Sequence, residues 1–467
     1  MKSRIACSLV LILAVSVLTG CGTFRTIGDF FNVSAKKTKI QGERISIIAT
    51  EGQLASDPQL AAAKMDLPPP KKNAEWAQPG GTPDNVMGNL MADGPLAQVW
   101  SVSAGKGTDG NSRLTAPPIV AGGMVYVLDA QTHVFAFDAQ TGKPAWDKFI
   151  APTGEAGSSH WYNLGLFGPS RSIDPTKGFG GGLAYDGGKI YAATGFGNVF
   201  ALDAHSGKQI WSTNTVVPVR SAPVVVDGRI YVITQENETQ AIDVNDGHLL
   251  WSHHGTVESA GILSSASVGV AGDTVVVPYS SGELFALRAQ NGTPSWTDTL
   301  TRTGNTTSLT IINDIAGRPV VDRNLVFAVS HSGTLAAINF RSGSRAWTRN
   351  IAGIQTPLVA GEYVFIVSTD GQVVCMNRGD GRVRWTAQLP AFGDPAGKRD
   401  PIVWTGPLLV SNFLVLVAST GTAELLSPFT GQKLGETAIP NGTFIPPVVA
   451  NGMMYVLTNE AQLVALR

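Results

Sequence analysis

Short apolar runs separated by Gly- and Asp-containing turns fill most of the chain after Trp100. The stretch Ser221–Trp251 shows the pattern clearly, because its runs are rich in Val, Ile and Tyr and alternate with the two-residue period of a strand. The dipeptide Asp227-Gly228 between the first two runs is typical of a hairpin turn. The predicted strands are Ala222–Val226, Arg229–Thr234, Thr239–Val244 and a fourth that opens at Leu249–Trp251. Each such unit is therefore a four-stranded antiparallel sheet.

A nine-residue ending that contains Gly-x-x-x-Trp closes these units and repeats along the chain. Six copies carry the Trp and a seventh ends in Gly435 instead; a spacing of about 40–65 residues with strands between the copies predicts a β-propeller. The six copies are Asp138–Trp146, Asp203–Trp211, Asp243–Trp251, Arg288–Trp296, Asn339–Trp347 and Asn377–Trp385. The fold class predicted is thus all-β.

Glycine and tryptophan have separate tasks in this ending. The Gly lies where the third strand turns into the fourth, a tight turn that favours a positive φ. The Trp is expected to lie flat between adjacent blades, where its ring is buried while its indole N–H finds an acceptor.

The strands of the eighth predicted blade come from two distant parts of the sequence. Ile445–Val449, Met453–Thr458 and Gln462–Leu466 predict only three strands of an eighth blade, whereas Gln98–Val102 predicts a strand with no blade of its own. We expect Gln98–Val102 to be the outer strand of blade eight. This closes an eight-bladed ring and removes the exposed strand edges that favour aggregation.

The first residues read as an export leader. Lys2 and Arg4 precede the apolar core Leu9–Val17, which is too short to span a bilayer, and Leu18-Thr19-Gly20-Cys21 follows. This sequence resembles a bacterial lipobox, which implies acyl chains on Cys21 and, with Gly22 next, location at the outer membrane facing the periplasm. The predicted domains are a signal peptide (1–20), a lipidated and partly flexible tether (21–95) and the propeller (96–467).

Composition and motifs argue against several kinds of function. The net charge is −1, with no basic stripe that would neutralise nucleic-acid phosphates. Gly105–Gly110 matches G-x-G-x-x-G, but no helix follows it to receive a dinucleotide. The seven histidines show no metal-binding spacing, and Cys375 stands alone within the propeller. We therefore predict no enzyme activity, no cofactor and no metal site.

An insertion at Gly154–Phe179 lengthens the interval between the first two Trp copies. It carries aromatic and apolar residues among glycines and serines, which indicates either a surface for a partner or a loop that folds back over the mouth of the propeller.

The repeat motif A-x-D-x-x-[TS]-G-x-x-x-W, best matched at Ala136–Trp146 and Ala201–Trp211, resembles the quinoprotein-type (PQQ-like) repeat. Glu75–Gly81 also resembles the segment that often precedes its first blade. Two families share this repeat: the PQQ-dependent dehydrogenases and BamB, a lipoprotein of the outer-membrane β-barrel assembly machinery. The dehydrogenases carry an adjacent cysteine pair and a metal site, and a single propeller Cys cannot supply that pair.

Resemblance to BamB therefore implies a non-enzymatic scaffold that binds the barrel insertase BamA and other subunits, and assists the insertion of nascent outer-membrane proteins. A PQQ-dependent periplasmic oxidoreductase and a propeller that binds a ligand or polysaccharide remain as alternatives.

The same resemblance implies partner-binding residues. Val217-Pro218-Val219-Arg220-Ser221-Ala222-Pro223 resembles the BamB loop that contacts BamA, with Val217 and Val219 as apolar anchors and Arg220 as a charged contact. Asp314 matches one of two aspartates in a second BamB loop, and Asn313 departs from that pattern. The alternative is an ordinary loop between blades whose valines pack on a neighbour.

Overall fold

The computed structural model describes residues 54–110, 112–150, 180–258, 261–262, 266–301 and 312–467. It confirms an all-β, eight-bladed propeller of antiparallel blades. Among the described residues, no helix is long and apolar enough to cross a membrane. The predicted leader, the predicted lipidation site at Cys21 and the Gly154–Phe179 insertion lie outside the described residues.

The elements up to blade 4 are, in chain order, α1 (Pro58–Ala62), β1 (Asn89–Leu90) and β2 (Gln98–Ser103); β3 (Ile119–Ala121), β4 (Met124–Leu128), β5 (His133–Asp138) and β6 (Pro144–Phe149) in blade 1; β7 (Gly181–Asp186), β8 (Lys189–Thr194), β9 (Asn198–Asp203) and β10 (Gln209–Asn214) in blade 2; β11 (Val224–Val226), β12 (Arg229–Ile233), β13 (Glu238–Asp243) and β14 (Leu249–His254) in blade 3; and β15 (Gly269–Ala271), β16 (Thr274–Pro278), β17 (Glu283–Arg288) and β18 (Pro294–Thr299) in blade 4.

The remaining elements are β19 (Val320–Asp322), β20 (Leu325–Val329), β21 (Leu335–Asn339) and β22 (Arg345–Arg349) in blade 5; β23 (Leu358–Ala360), β24 (Tyr363–Val367), β25 (Gln372–Asn377) and β26 (Val383–Gln388) in blade 6; the hairpin β27 (Phe392–Asp394) and β28 (Arg399–Pro401); β29 (Trp404–Val410), β30 (Phe413–Ala418), β31 (Thr422–Leu426) and β32 (Lys433–Ala438) in blade 7; and β33 (Val448–Ala450), β34 (Met453–Leu457) and β35 (Gln462–Leu466) in blade 8.

The first strands lie nearest the ring axis, where those of blades 1 to 7 each contact the first strand of a neighbouring blade. In blade 3, the predicted hairpin turn has Asp227 at φ 50° and Gly228 at φ 75°. Two successive positive φ values match the twist of the strands on either side. The fourth strands face outward, and their residues alternate between exposed and partly buried, as in β10.

Each Trp of the repeat packs on the glycine turn of the following blade. Trp146 of blade 1 donates its Nε1–H to the carbonyl of Ala204 in blade 2 at 3.1 Å. A Cβ atom on Gly207, which has φ +68°, would lie 2.6 Å from the Trp146 ring. The same close approach joins Trp100 to Gly142, Trp211 to Gly247, Trp251 to Gly292, Trp296 to Gly343, Trp347 to Gly381 and Trp385 to Gly431. The glycine is therefore needed both for its φ and for the space that it leaves.

The ring closes through the strand predicted from the start of the chain. β2 pairs with β35 in the antiparallel direction, with Trp100 opposite Ala465. The third and fourth strands of blade 8 thus come from opposite ends of the chain, so no Gly turn joins them. Blade 7 has no such turn to pack against, which explains why its repeat ends in Gly435 instead of Trp.

We expect Gly207→Ala to lower the free energy of unfolding by about 1–3 kcal/mol more than Gly228→Ala does. Both glycines have a similar positive φ, so the strain of an added Cβ is matched between them. Only the Cβ at position 207 collides with a ring, because no atom lies within 4 Å of the one at position 228. Urea unfolding of the two variants measures the difference. Equal losses would show that the Trp ring moves aside without cost.

The segment 54–95 runs along the side of the ring where first strands turn into second strands. It contacts all eight blades, mostly through single backbone hydrogen bonds. The contacts, from blade 1 to blade 8, are Trp76 with Val120, Ala77 with Tyr185, Gln78 with Val225, Pro83 with Val270, Asp84 with Val321, Asp57 with Val383, Asn89 with Leu409 and Asn73 with Asn451. This part of the predicted tether is therefore docked on the propeller.

Candidate partner-binding surface

The loops that connect one blade to the next lie on the opposite side of the ring from the segment 54–95, because they lead into the starts of the first strands. The loop between β10 and β11 contains three of the four predicted partner-binding residues. Val219 has no exposed surface and packs with Ala184 and Ile230 in the core between blades 2 and 3. Val217 is half-buried. An apolar anchor offered to a partner would have to be accessible, which Val219 is not in this structure.

Sequence reasoning missed the most exposed residue of this loop, Val216. It is 70% exposed and has a φ of +68°. A positive φ is strained for a β-branched residue and costs about 1–3 kcal/mol. The side chain of Asn214 accepts a hydrogen bond from the Val216 N–H at 2.6 Å, and the Thr215 hydroxyl donates to the Val217 carbonyl at 2.8 Å. No pattern of side-chain types in Val-Val-Pro-Val signals this conformation.

The structure brings together Arg220 and Asp314, which are distant in sequence. Arg220 Nη1 lies 3.5 Å from Asp314 Oδ1, and both side chains are almost fully buried. Arg220 also donates to the Pro278 carbonyl at 2.8 Å, and Asp314 accepts from the Ile262 N–H at 2.8 Å. The pair therefore links the loop that leads into blade 3 to the loop that leads into blade 5. It also ties both loops to blade 4 and to the loop before blade 4.

Exposed apolar surface continues on a neighbouring loop of the same side. Val257, between β14 and β15, is 63% exposed. Exposed valines on two successive inter-blade loops, held by a rigid ring, have the character of a binding surface.

Two groups with possible chemistry lie elsewhere. Cys375 is fully buried, and burial raises the pKa of its thiol, so it is a packing residue and not a nucleophile. The ligand atoms of Asp243, Asp246 and His248 lie within 4.8 Å of one another on an exposed turn. There Asp243 accepts from the Asn245 N–H, and the Asp246 carboxylate, by accepting a hydrogen bond from the His248 ring, raises the pKa of His248. Turn formation accounts for this cluster.

Comparison with known proteins identifies the family. The family model described as "Outer membrane protein assembly factor BamB" matches residues 96–160 and 149–387, which is more than half of the chain. The chain belongs to the BamB family.

Individual BamB proteins show the same relationship at lower coverage. The chain is 33% identical to BamB of Salmonella typhimurium over 264 residues, which are 56% of this chain and 63% of that protein. It is 32% identical to BamB of Escherichia coli K12 over 262 residues, again 56% of this chain and 63% of the relative. The matches therefore span less than two thirds of each BamB relative's length.

Solved structures support the fold. BamB from Moraxella catarrhalis superposes with a TM-score of 0.63 at 19% identity, covering 80% of this chain and all of the BamB chain. A europium-containing methanol dehydrogenase gives the same TM-score at 15% identity, covering 82% of this chain and 89% of its own. Since the propeller is common to the BamB family and to dehydrogenases, these two likenesses concern the fold alone.

Proposed function

We propose that this chain is a non-enzymatic scaffold lipoprotein of the outer-membrane β-barrel assembly machinery, and that it binds the insertase BamA and assists insertion of outer-membrane proteins. The family-model match over residues 96–387 carries this proposal. The relatives are named as assembly factors, and a rigid ring with many loops is suited to binding. The proposal includes a lipid anchor at Cys21, a tether from 21 to 95 and the propeller at the periplasmic side of the outer membrane.

The docking surface that we propose is the inter-blade side around Val216 and Val217. Val219 anchors the loop in the core, while the Arg220–Asp314 pair fixes its position relative to blade 5. In this arrangement Val216 and Val217 contact BamA directly. The conformation of this surface is maintained by Val219, Arg220 and Asp314. A loop that is already ordered favours binding, because it loses less conformational entropy on association.

Affinity purification of the full-length protein from membranes tests both the function and the surface. We expect Val216→Glu to lower the recovery of BamA about tenfold or more, since it puts a charge at the centre of an apolar contact. The matched control is Val99→Glu, because Val99 is also an exposed valine (51%) but lies on the outer strand of blade 8. Absence of BamA from the wild-type sample would contradict the function. Equal recovery with both variants would contradict the surface alone.

A further inference from the structure

The axis of the ring contains a cavity of about 350 Å³, within the size range of small-molecule sites. Residues of the inter-blade loops and the starts of the first strands form its walls, which are largely apolar. The segment 54–95 supplies the opposite end through Trp76, Pro79 and Met87. The cavity is separate from the loop surface proposed above for the partner.

One charged side chain is buried in this wall. Arg318 lies two residues before β19 and is only 8% exposed. In five other blades, the residue two positions before the first strand is neutral. These residues are Pro117, Ala222, Ser267, Thr356 and Pro446. An arginine here is therefore not a requirement of the blade.

The guanidinium of Arg318 has no protein partner among the described residues. Within the part of the chain that the structure describes, no carboxylate lies within ion-pair distance of Arg318, no acceptor receives its N–H groups, and its Nε is buried. The other buried arginines behave differently: Arg220 pairs with Asp314, Arg378 with Asp322 at 2.9 Å, and Arg384 donates to the carbonyls of Leu60 and Ala63. Burial lowers the pKa of Arg318 to about 10, which still leaves it charged at neutral pH.

A second hydrogen-bond donor in the cavity lining, the Trp76 indole, also lacks an acceptor among the described residues. Trp76 lines the cavity, and its Nε1 is buried with no acceptor among the described residues. Buried donors without acceptors, one of them charged, are costly in a folded protein. A ligand with acceptor oxygens and a negative charge would provide hydrogen-bond acceptors for both donors and a counter-charge for Arg318.

We propose that the central cavity binds a small organic carboxylate, whose charged end pairs with Arg318 and whose apolar part packs on Ile262, Ile354 and Leu408. The planar guanidinium fork matches the two oxygens of a carboxylate. A monoanion balances the one buried cation, because Arg113, the other arginine that lines the cavity, is exposed to solvent; a phosphate dianion would carry excess charge into an apolar wall. The inference does not depend on binding of BamA.

Calorimetric titration of the full-length protein with 3-phenylpropionate and with its neutral analogue 3-phenylpropionamide tests the proposal. We expect wild type to bind the acid at least about tenfold more tightly than the amide, as for hydrogen bonds to a buried charge. Arg318→Met should abolish that preference. Arg341→Met, an exposed arginine on the outer turn of the same blade, should retain it.

Equal binding of acid and amide by wild type, or binding of neither, overturns the proposal without any variant. It is also overturned if Arg318→Met keeps the preference for the acid, or if inorganic phosphate binds as tightly as the acid. The melting temperature of each variant shows whether it is folded. We expect Arg318→Met to melt higher than wild type without ligand, because it removes an unpaired buried charge.

Discussion

A chain that begins at Ala104 is expected to aggregate, whereas a chain that begins at Leu54 is expected to be monomeric. The shorter chain lacks β2, so β35 presents an unpaired edge whose residues Leu463–Leu466 are fully buried in the closed ring. It also loses the packing of Trp100 on Tyr455, whose ring centroids lie 5.9 Å apart. These losses are expected to exceed about 5 kcal/mol, which is comparable to the whole stability of many domains.

A third chain that begins at Ala97 separates ring closure from the contacts of the segment 54–95. It keeps β2 but lacks the segment, so we expect a monomer with a lower melting temperature. Size-exclusion chromatography with light scattering distinguishes monomers from aggregates. A monomeric chain from Ala104 with the melting temperature of the chain from Ala97 would show that β2 does not hold the ring closed.

Breaking the buried pair between Arg220 and Asp314 is expected to destabilise the propeller strongly. Asp314→Asn leaves a buried guanidinium without its counter-charge, and Arg220→Met leaves a buried carboxylate alone; each should cost about 3–5 kcal/mol. The double variant should cost much less than the sum, because neither charge remains to be paired. Urea unfolding of the four proteins gives the coupling energy.

The matched control for this cycle is the pair Arg345–Asp298, which has a shorter separation of 2.8 Å but a more exposed arginine. Surface pairs contribute about 0–1 kcal/mol, so its variants should lose little. Losses at Arg220 and Asp314 no larger than this control would contradict the role of the pair.

The blades were predictable because strand period, turn residues and the Gly-x-x-x-Trp ending are local signals that repeat. The repeat also indicated the closing strand, since Gln98–Val102 was a predicted strand without a blade of its own, whereas the eighth blade lacked one strand. The path of the segment 54–95 was not predictable in this way. It binds through backbone groups and isolated amides such as Gln78 and Asn85, which follow no period.

The candidate site was only partly predictable for a related reason. The loop before blade 3 was found from its residue types, but the pairing of Arg220 with Asp314 depends on how inter-blade loops pack across blade 4. The strained φ of Val216 and the isolation of Arg318 are likewise properties of the assembled ring. The hairpin β27–β28 is an insertion between blades that the repeat does not contain.

The pairing of β2 with β35 also sets an order of events during synthesis. β2 leaves the ribosome before any blade is made, and its partner β35 is translated only after the strands of the other seven blades. Blades can form one after another as the chain grows, because each contacts mainly its neighbours. β2 must therefore wait for the strands of all the other blades, so the ring can close only after β35 has been translated.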